Sequence, residues 1–364
     1  MPEILKQNQA ASHKKAVVFC ADRNVVRFAQ FIANQIMLAE PGRDYDICIT
    51  TFDGTMVELD KIDPEIRICQ VDDAPFSALK TSNRVTSTAF ILLALPEIFA
   101  KDYDQIVYLD TDVFLKSGKI SELFAAAVPG FAISGVLDIT QWAGTPDAAR
   151  TDYWQALGIN GLKYLNTGVL VLDVPRCIKE NFYKGSLQAA ITVEGLKKAK
   201  PQIRFLHDQT AINMHLAGEW APISLRWNWQ TLRETSRLNK YFNPNILHFI
   251  AHTKPWVAKP VAYNKAFLPE YTRFFKDVLG EDLKAKIRQD HKNVAGLTWL
   301  QKIKSEITPQ KLSARINMIN PLYYTGLRGL IPTYVHYKNI KRIEKAIALG
   351  HPVWPREKMI AASK

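Results

Sequence analysis

The chain has 364 residues, 47% apolar and 23% charged, with a net charge of +12 at neutral pH. That length allows one large domain plus an appendage, or two domains, and the composition is that of a folded globular protein rather than a disordered one. The charge is uneven: residues 261–364 hold 19 Lys/Arg against 8 Asp/Glu, a net of +11, while residues 1–260 carry only +1. A neutral body with a basic tail suggests electrostatic attachment to an anionic surface, although a solvated helical face has the same composition.

Residues Met1 to Lys15 contain Lys6, His13, Lys14 and Lys15 and no apolar run, so no secretion signal is expected. Ala16–Cys20 reads as a buried strand ending at Ala21-Asp22-Arg23-Asn24. A helix follows over Val25–Leu38, with Phe28, Phe31, Ile32, Ile36 and Met37 as its apolar stripe. Asp46–Thr51 and Ile66–Val71 are two further strands, Asp72–Thr86 is a polar loop, and Thr88–Ala100 is a helix. The most apolar stretches, Ala89–Ala100 and Phe124–Leu137, are broken by Pro96 and Pro129, and neither suits a membrane span. Cys20, Cys48, Cys69 and Cys177 lie in apolar runs without metal-ligand spacing and are expected to be buried free thiols in a reducing cytosol.

The most informative stretch is Ile106-Val107-Tyr108-Leu109-Asp110-Thr111-Asp112-Val113, predicted as one strand. Alternation along a strand would point Asp110 and Asp112 to one side. The end of a strand in an α/β sheet is where a ligand crevice opens. Two carboxylates held together there repel unless a cation lies between them, and an oxygen-rich pair suits a divalent ion that also binds phosphate. Strands then follow over Phe131–Leu137 and Leu165–Asp173, separated by an irregular Asp138–Lys163 segment with Trp142, Tyr153 and Trp154. Asp208-Gln209 opens a helix through Leu216, and Ile246–Ile250 is a short strand. Strands alternating with helices predict an α/β fold with a mixed, mostly parallel sheet.

The tail is predicted to be helical. Within Lys338–Leu349, Ile340, Ile343 and Ile347 share one face, and Lys338, Lys341, Arg342 and Lys345 occupy the others. Tyr323, Tyr324, Tyr334, Tyr337 and Trp354 flank this stretch, a pairing of aromatic and basic residues suited to lipid headgroups. Packing of the isoleucine face on the body is the other reading. The expected division is a catalytic domain over 1–260 and a basic helical region over 261–364, with no nucleic-acid partner because no such motif accompanies the charge.

Five motifs stand in order: Phe19-Cys20-Ala21-Asp22-Arg23-Asn24, Tyr108-Leu109-Asp110-Thr111-Asp112, Asn166-Thr167-Gly168-Val169, Asp208-Gln209, and His248 through Trp256. Together, over residues 16–256, they resemble glycosyltransferase family 8, which includes lipopolysaccharide galactosyl- and glucosyltransferases and glycogenin. The resemblance implies a GT-A fold, a UDP-hexose donor, Mn²⁺ and retention of anomeric configuration. It further implies that Asp22 and Asn24 hold uracil and ribose, where a helix-start cap is the alternative use. Asp110, Asp112 and His248 would bind Mn²⁺, an imidazole favouring a transition metal over Mg²⁺, and Asp110 would also touch the donor. Lys254 would reach the diphosphate, and Asn166 and Asp208 the donor-sugar hydroxyls. Gln209 would lie near the anomeric carbon, and since an amide is a poor nucleophile, same-face attack through a short-lived ion pair is favoured over a covalent intermediate.

Two departures from the family pattern bear on the donor. Ala89-Phe90-Ile91-Leu92-Leu93 lacks the usual Arg or Lys, for which Arg84, slightly upstream, is a candidate substitute, and Ala251 replaces a Gly. Trp227 and Trp229 would pack either on an acceptor sugar or in the core. A dehalogenase-type phosphatase also uses Asp-x-Asp after a strand, but Phe114 stands where it needs Thr or Val. The expectation is a hexosyltransferase acting on a lipopolysaccharide core or related surface glycolipid, cytoplasmic and peripheral on the inner face of the membrane. The alternatives are a catalytically degenerate, membrane-tethered nucleotide-sugar binder and a glycogenin-like glucosyltransferase.

Overall fold

The computed structural model describes residues 2–52, 62–76, 79, 87–142, 154, 157–159, 163–199, 206–250, 254–257, 262–284, 287, 327–351 and 353. The sequence features at Arg84, Tyr153, Ala251, Tyr323, Tyr324 and Trp354 lie outside these residues. In chain order the first half contains β1 (Ile4–Gln7), β2 (Lys15–Cys20), α1 (Val26–Ala39), β3 (Asp46–Phe52), β4 (Ile66–Val71), α2 (Ile91–Ile98), β5 (Gln105–Leu109), β6 (Val113–Leu115), α3 (Ile120–Ala125) and β7 (Ile133–Leu137). Then follow β8 (Leu165–Asp173), α4 (Val174–Lys179), α5 (Phe182–Ala199), α6 (His207–Leu216), β9 (Ala221–Pro222), β10 (Trp229–Gln230), β11 (Ile246–His248), α7 (Leu268–Asp277) and α8 (Leu327–Ala348).

The main sheet runs β1-β4-β3-β2-β5-β8-β7-β9, and a smaller one runs β10-β11-β6. Strands β4, β3, β2 and β5 are mutually parallel, whereas β8 is antiparallel to both β5 and β7. Parallel strands are covered on both faces and therefore read as unbroken apolar runs. Ala16, Val17, Val18 and Phe19 of β2 and Ile106 and Val107 of β5 are all 0% exposed. Helix α1 buries Phe28, Phe31, Ile32 and Ile36, the stripe its sequence spacing predicted. The four cysteines are free and buried.

Three elements differ from expectation. The acid-pair segment is not one strand: β5 ends at Leu109, Asp110–Asp112 form a turn, and β6 departs into the second sheet. A turn, not the pleat of a strand, therefore sets the direction of the two carboxylates. Strand β1, paired antiparallel with β4 at the sheet edge, went unforeseen because Ile4–Gln7 is short, polar and largely exposed. Helix α5 was also missed: Gly185 and Gly195 interrupt its pattern, yet a Cβ at Gly185 would overlap the His215 ring packed on it.

The chain forms two compact units, one of Met1–Gln230, Asn243–His248 and Arg342–Lys364, the other of Thr231–Phe242 and Phe249–Lys341. In α8, Ile340 and Ile343 are fully buried, so the isoleucine face packs on protein. Tyr334, Val335, Lys338, Lys341, Arg342, Lys345 and Leu349 make up the exposed face. Within the first unit, the Glu344 carboxylate accepts from Ser224 Oγ at 2.8 Å and from the Leu225 N–H at 2.7 Å. Among the described residues, no helix is long and apolar enough to cross a membrane.

Candidate active site

The strand order supplies the crevice. From β2 the chain goes out to β3 on one side, while β5 lies on the other, and ligands bind beyond the carboxyl ends of strands where the order reverses. Asp22 follows β2 and Asp110 follows β5, so both carboxylates lie at that point. The antiparallel β8 begins beside the end of β5: Leu109 pairs with Val169, and the Asp110 N–H donates to the Gly168 carbonyl at 2.9 Å. Strand β11 pairs with β6 so that His248 stands opposite Val113, the residue after Asp112. Two sheets thus deliver the acids and the imidazole to one place.

One atom each of Asp110, Asp112 and His248 forms a set lying within 4.8 Å of one another. His248 Nε2 is 3.2 Å from Asp112 Oδ1 and 3.6 Å from Asp110 Oδ2. The other oxygen of Asp110 accepts from the Tyr108 hydroxyl at 2.6 Å, which leaves Oδ2 facing the imidazole. Burial, then the charge of Asp110, pushes Asp208 up to about 7, against a hydrogen bond from Thr167 Oγ1 at 3.2 Å. Burial and the same two carboxylates also raise the Cys20 thiol. Like charges gathered in a half-buried crevice are arranged for a cation. The donor set of two carboxylate oxygens and one imidazole nitrogen fits a divalent transition ion.

Gly168, of the Asn166-Thr167-Gly168-Val169 motif, packs against this site. A Cβ there would overlap His248 Cε1 and Nδ1 and come within 3.1 Å of Asp110 Oδ2. Asp22 is 8% exposed, and its Oδ1 accepts the N–H groups of Asn24 at 2.8 Å and Val25 at 3.3 Å, so the side chain shapes the entry to α1. Asn24 is exposed beside it. Lys254 is partly buried in the second compact unit.

Asn166 and Gln209 come together: Asn166 Nδ2 donates to Gln209 Oε1 at 3.1 Å. Both amides also donate to Asp138 Oδ2, at 3.3 and 3.2 Å. Sequence reasoning overlooked Asp138, yet it follows the apolar β7 much as Asp110 follows β5. It also overlooked Asn228, a polar residue between two tryptophans that is 0% exposed. Trp229 is buried against Trp142, with ring centroids 5.1 Å apart, and Trp227 is 6% exposed, so both pack in the core.

Residues 16–259, two thirds of the chain, match the sequence pattern of Glycosyl transferase family 8. The chain belongs to that family. Its fold is the GT-A fold, and it is a glycosyltransferase. In sequence it is 24% identical over 266 residues to General stress protein A of Bacillus subtilis, covering 66% of this chain and 86% of that protein. It is 25% identical over 195 residues to a probable galacturonosyltransferase-like 9 of Arabidopsis thaliana, covering 48% of each. Among solved structures, the galactosyltransferase LgtC, in complex with donor and acceptor sugar analogues, superposes with a TM-score of 0.56 at 17% identity, over 70% of this chain and 95% of that one. The bifunctional glycosyltransferase WbbM also gives 0.56, at 15% identity, over 77% of this chain and 53% of that one.

Proposed function

We propose that this family 8 glycosyltransferase moves a hexose from a UDP-sugar to a glycan acceptor with retention of configuration, in a reaction that depends on Mn²⁺. The observation that carries this reading is the convergence of Asp110, Asp112 and His248 within 4.8 Å at the switch point of the sheet. When bound there, a divalent cation neutralises charge on the diphosphate oxygens as a Lewis acid. The chain's own residues do the rest. Asp22 and Asn24 hold the nucleoside, and Lys254 adds a fixed positive charge for the diphosphate. Asn166 and Asp208 serve the sugar hydroxyls, Asn166 by exchanging one of its present amide hydrogen bonds for the sugar. Both polar ends of the Gln209 amide are already hydrogen-bonded, its Oε1 by Asn166 and its Nε2 to Asp138. An amide so tied suits a role in orienting the sugar better than one as a nucleophile. That favours same-face attack, with the acceptor proton passing to the departing phosphate oxygen.

The acceptor we propose is a surface glycolipid such as a lipopolysaccharide core. The exposed face of α8 supports it, since Tyr334, Val335 and Leu349 are each more than half exposed among Lys338, Lys341, Arg342 and Lys345. Such a face suits the headgroup level of an anionic leaflet, which would place the enzyme peripherally on the cytoplasmic side. A panel of UDP- and GDP-hexoses, assayed for UDP or GDP release with Mn²⁺ and with a chelator, tests the donor and metal together. Release from a UDP-hexose with Mn²⁺, abolished in Asp112→Asn, is the expected result. Equal turnover in chelator would overturn the metal dependence.

A further inference from the structure

A chain of buried hydrogen bonds leads from the sugar-binding amides to the imidazole, and its direction can be assigned from its fixed ends. The Gly168 backbone N–H can only donate, and it donates to Asn166 Oδ1 at 3.1 Å. That oxygen is therefore the acceptor end of Asn166, and the Asn228 amide group 2.8 Å away must offer its Nδ2. The remaining end of Asn228 is its Oδ1, 2.9 Å from His248 Nδ1. An amide oxygen only accepts, so Nδ1 carries a proton, and in the neutral ring Nε2 keeps its lone pair toward Asp110 and Asp112. The other end of the chain agrees. Asn166 Nδ2 points at Gln209 Oε1 and at the acceptor-only Asp138 carboxylate.

We infer that Asn228 is a positioning residue that fixes the tautomer of His248 and couples the imidazole to the amides of Asn166 and Gln209. Metal-binding histidines generally need a partner on the second ring nitrogen, which holds the ring and raises its basicity. Here the partner is the fully buried side chain of Asn228, the residue just before β10, which pairs in parallel with β11. Gly168 contributes twice, through its N–H to Asn166 and through the space it leaves for the ring. Because the same Asn166 oxygen receives both Gly168 and Asn228, a change at the imidazole is felt by the amide that faces Gln209. Metal affinity and donor-sugar affinity are therefore linked through Asn228, and by reciprocity each changes the other by the same factor.

The inference rests on the metal reading above, and its test separates the two. Two-bond ¹H–¹⁵N correlations on the metal-free protein, followed upward in pH until the spectrum shows a neutral ring, report the tautomer directly. His248→Gln identifies the signal. The wild type is expected in the Nδ1–H form, and Asn228→Leu is expected to move toward Nε2–H. Manganese titration without donor, followed by electron paramagnetic resonance, should show Asn228→Leu binding about 10- to 100-fold more weakly. Asn228→Asp keeps an acceptor for Nδ1 and should retain the tautomer and the Mn²⁺ affinity, while raising KM for the donor because Asn166 Oδ1 loses one of its two donors and faces a carboxylate oxygen instead. A wild-type Nε2–H tautomer would overturn the inference even if the leucine variant failed to fold. So would wild-type Mn²⁺ affinity in a folded Asn228→Leu alongside weakened affinity in Asp112→Asn. Should Asp112→Asn also bind like the wild type, the metal reading fails, and the tautomer measurement alone decides the role of Asn228.

Discussion

The two ends of the parallel strands hold buried polar networks of opposite character. At the amino ends, Arg67 is 2% exposed and donates to Tyr103 Oη at 2.8 Å, Asp102 at 2.7 Å, Gln7 at 2.6 Å and the Gln9 carbonyl at 3.1 Å. The Tyr103 hydroxyl donates to Asp46 at 2.9 Å, and Asp46 also accepts from His13 and Ser12. The Arg67 charge meets the Asp102 carboxylate, and both oxygens of Asp46 are hydrogen-bonded. At the carboxyl ends, Asp110, Asp112 and Asp208 share a crevice, and burial together with Asp110 raises the Asp208 pKa to about 7. A network that neutralises itself holds the sheet together, whereas one left with excess charge of a single sign is prepared for a ligand of the other sign.

Substitutions at the two ends should separate activity from stability. Asp112→Asn is expected to lower kcat/KM by about 10³-fold, while the melting temperature of the metal-free protein holds or rises because a like-charge repulsion is relieved. A clear fall in that melting temperature would contradict the account of the crevice. Arg67→Met should behave in the reverse way. Breaking a buried ion pair costs about 3–5 kcal/mol, a drop of about 10 °C for a domain of this size, with kcat unchanged when assayed well below the transition. Gly168→Ala lies between these cases: displacing the His248 ring should weaken Mn²⁺ binding by about 10- to 100-fold and cost about 1–3 kcal/mol through overpacking. Calorimetric titration together with a thermal melt reads both.

The smallest effect comes from a carboxyl that belongs to neither network. Glu97 on α2 has an Oε2 without a hydrogen-bond partner, and burial pushes its pKa up to about 7 against hydrogen bonds from backbone N–H groups and the charge of Lys184. Between the ordinary value of about 4.3 and about 7, the folded protein keeps a proton that the unfolded chain has released. Stability therefore falls as pH rises through that window and levels off above it. Glu97→Gln should flatten this slope and raise stability at pH 8 by on the order of 1 kcal/mol, allowing for solvent near a half-buried group. Denaturant melts from pH 5 to 8 check it, and an unchanged slope would place the titrating group elsewhere.

Much of the site could be read in the amino-acid order because its acids stand where apolar runs stop. Asp22 after β2, Asp110 after β5 and His248 at the end of β11 each carry that local signal. The break between β5 and β6 could not be read, since the alternation of Tyr108 to Phe114 continues through Asp110–Asp112 as if no turn were there. Asn228 and Asp138 act through amide hydrogen bonds spanning 62 positions from Asn228 to Asn166 and 71 from Asp138 to Gln209, a separation no local pattern encodes. In the tail, the isoleucine spacing foretold a helix with one apolar face but not its destination. Burial of Ile343 and the contacts of Glu344 direct that face to protein and leave the basic side outward.

That last attachment bears on how the enzyme can be cut. Ending the chain near residue 260 would remove Glu344 and the buried Ile343, and strip the N–H of Leu225, three residues ahead of Asn228, of its acceptor. The terminal turns of α8 thus act as a clasp on the segment leading to the imidazole's partner, and a shortened protein that lost turnover would say nothing about membranes.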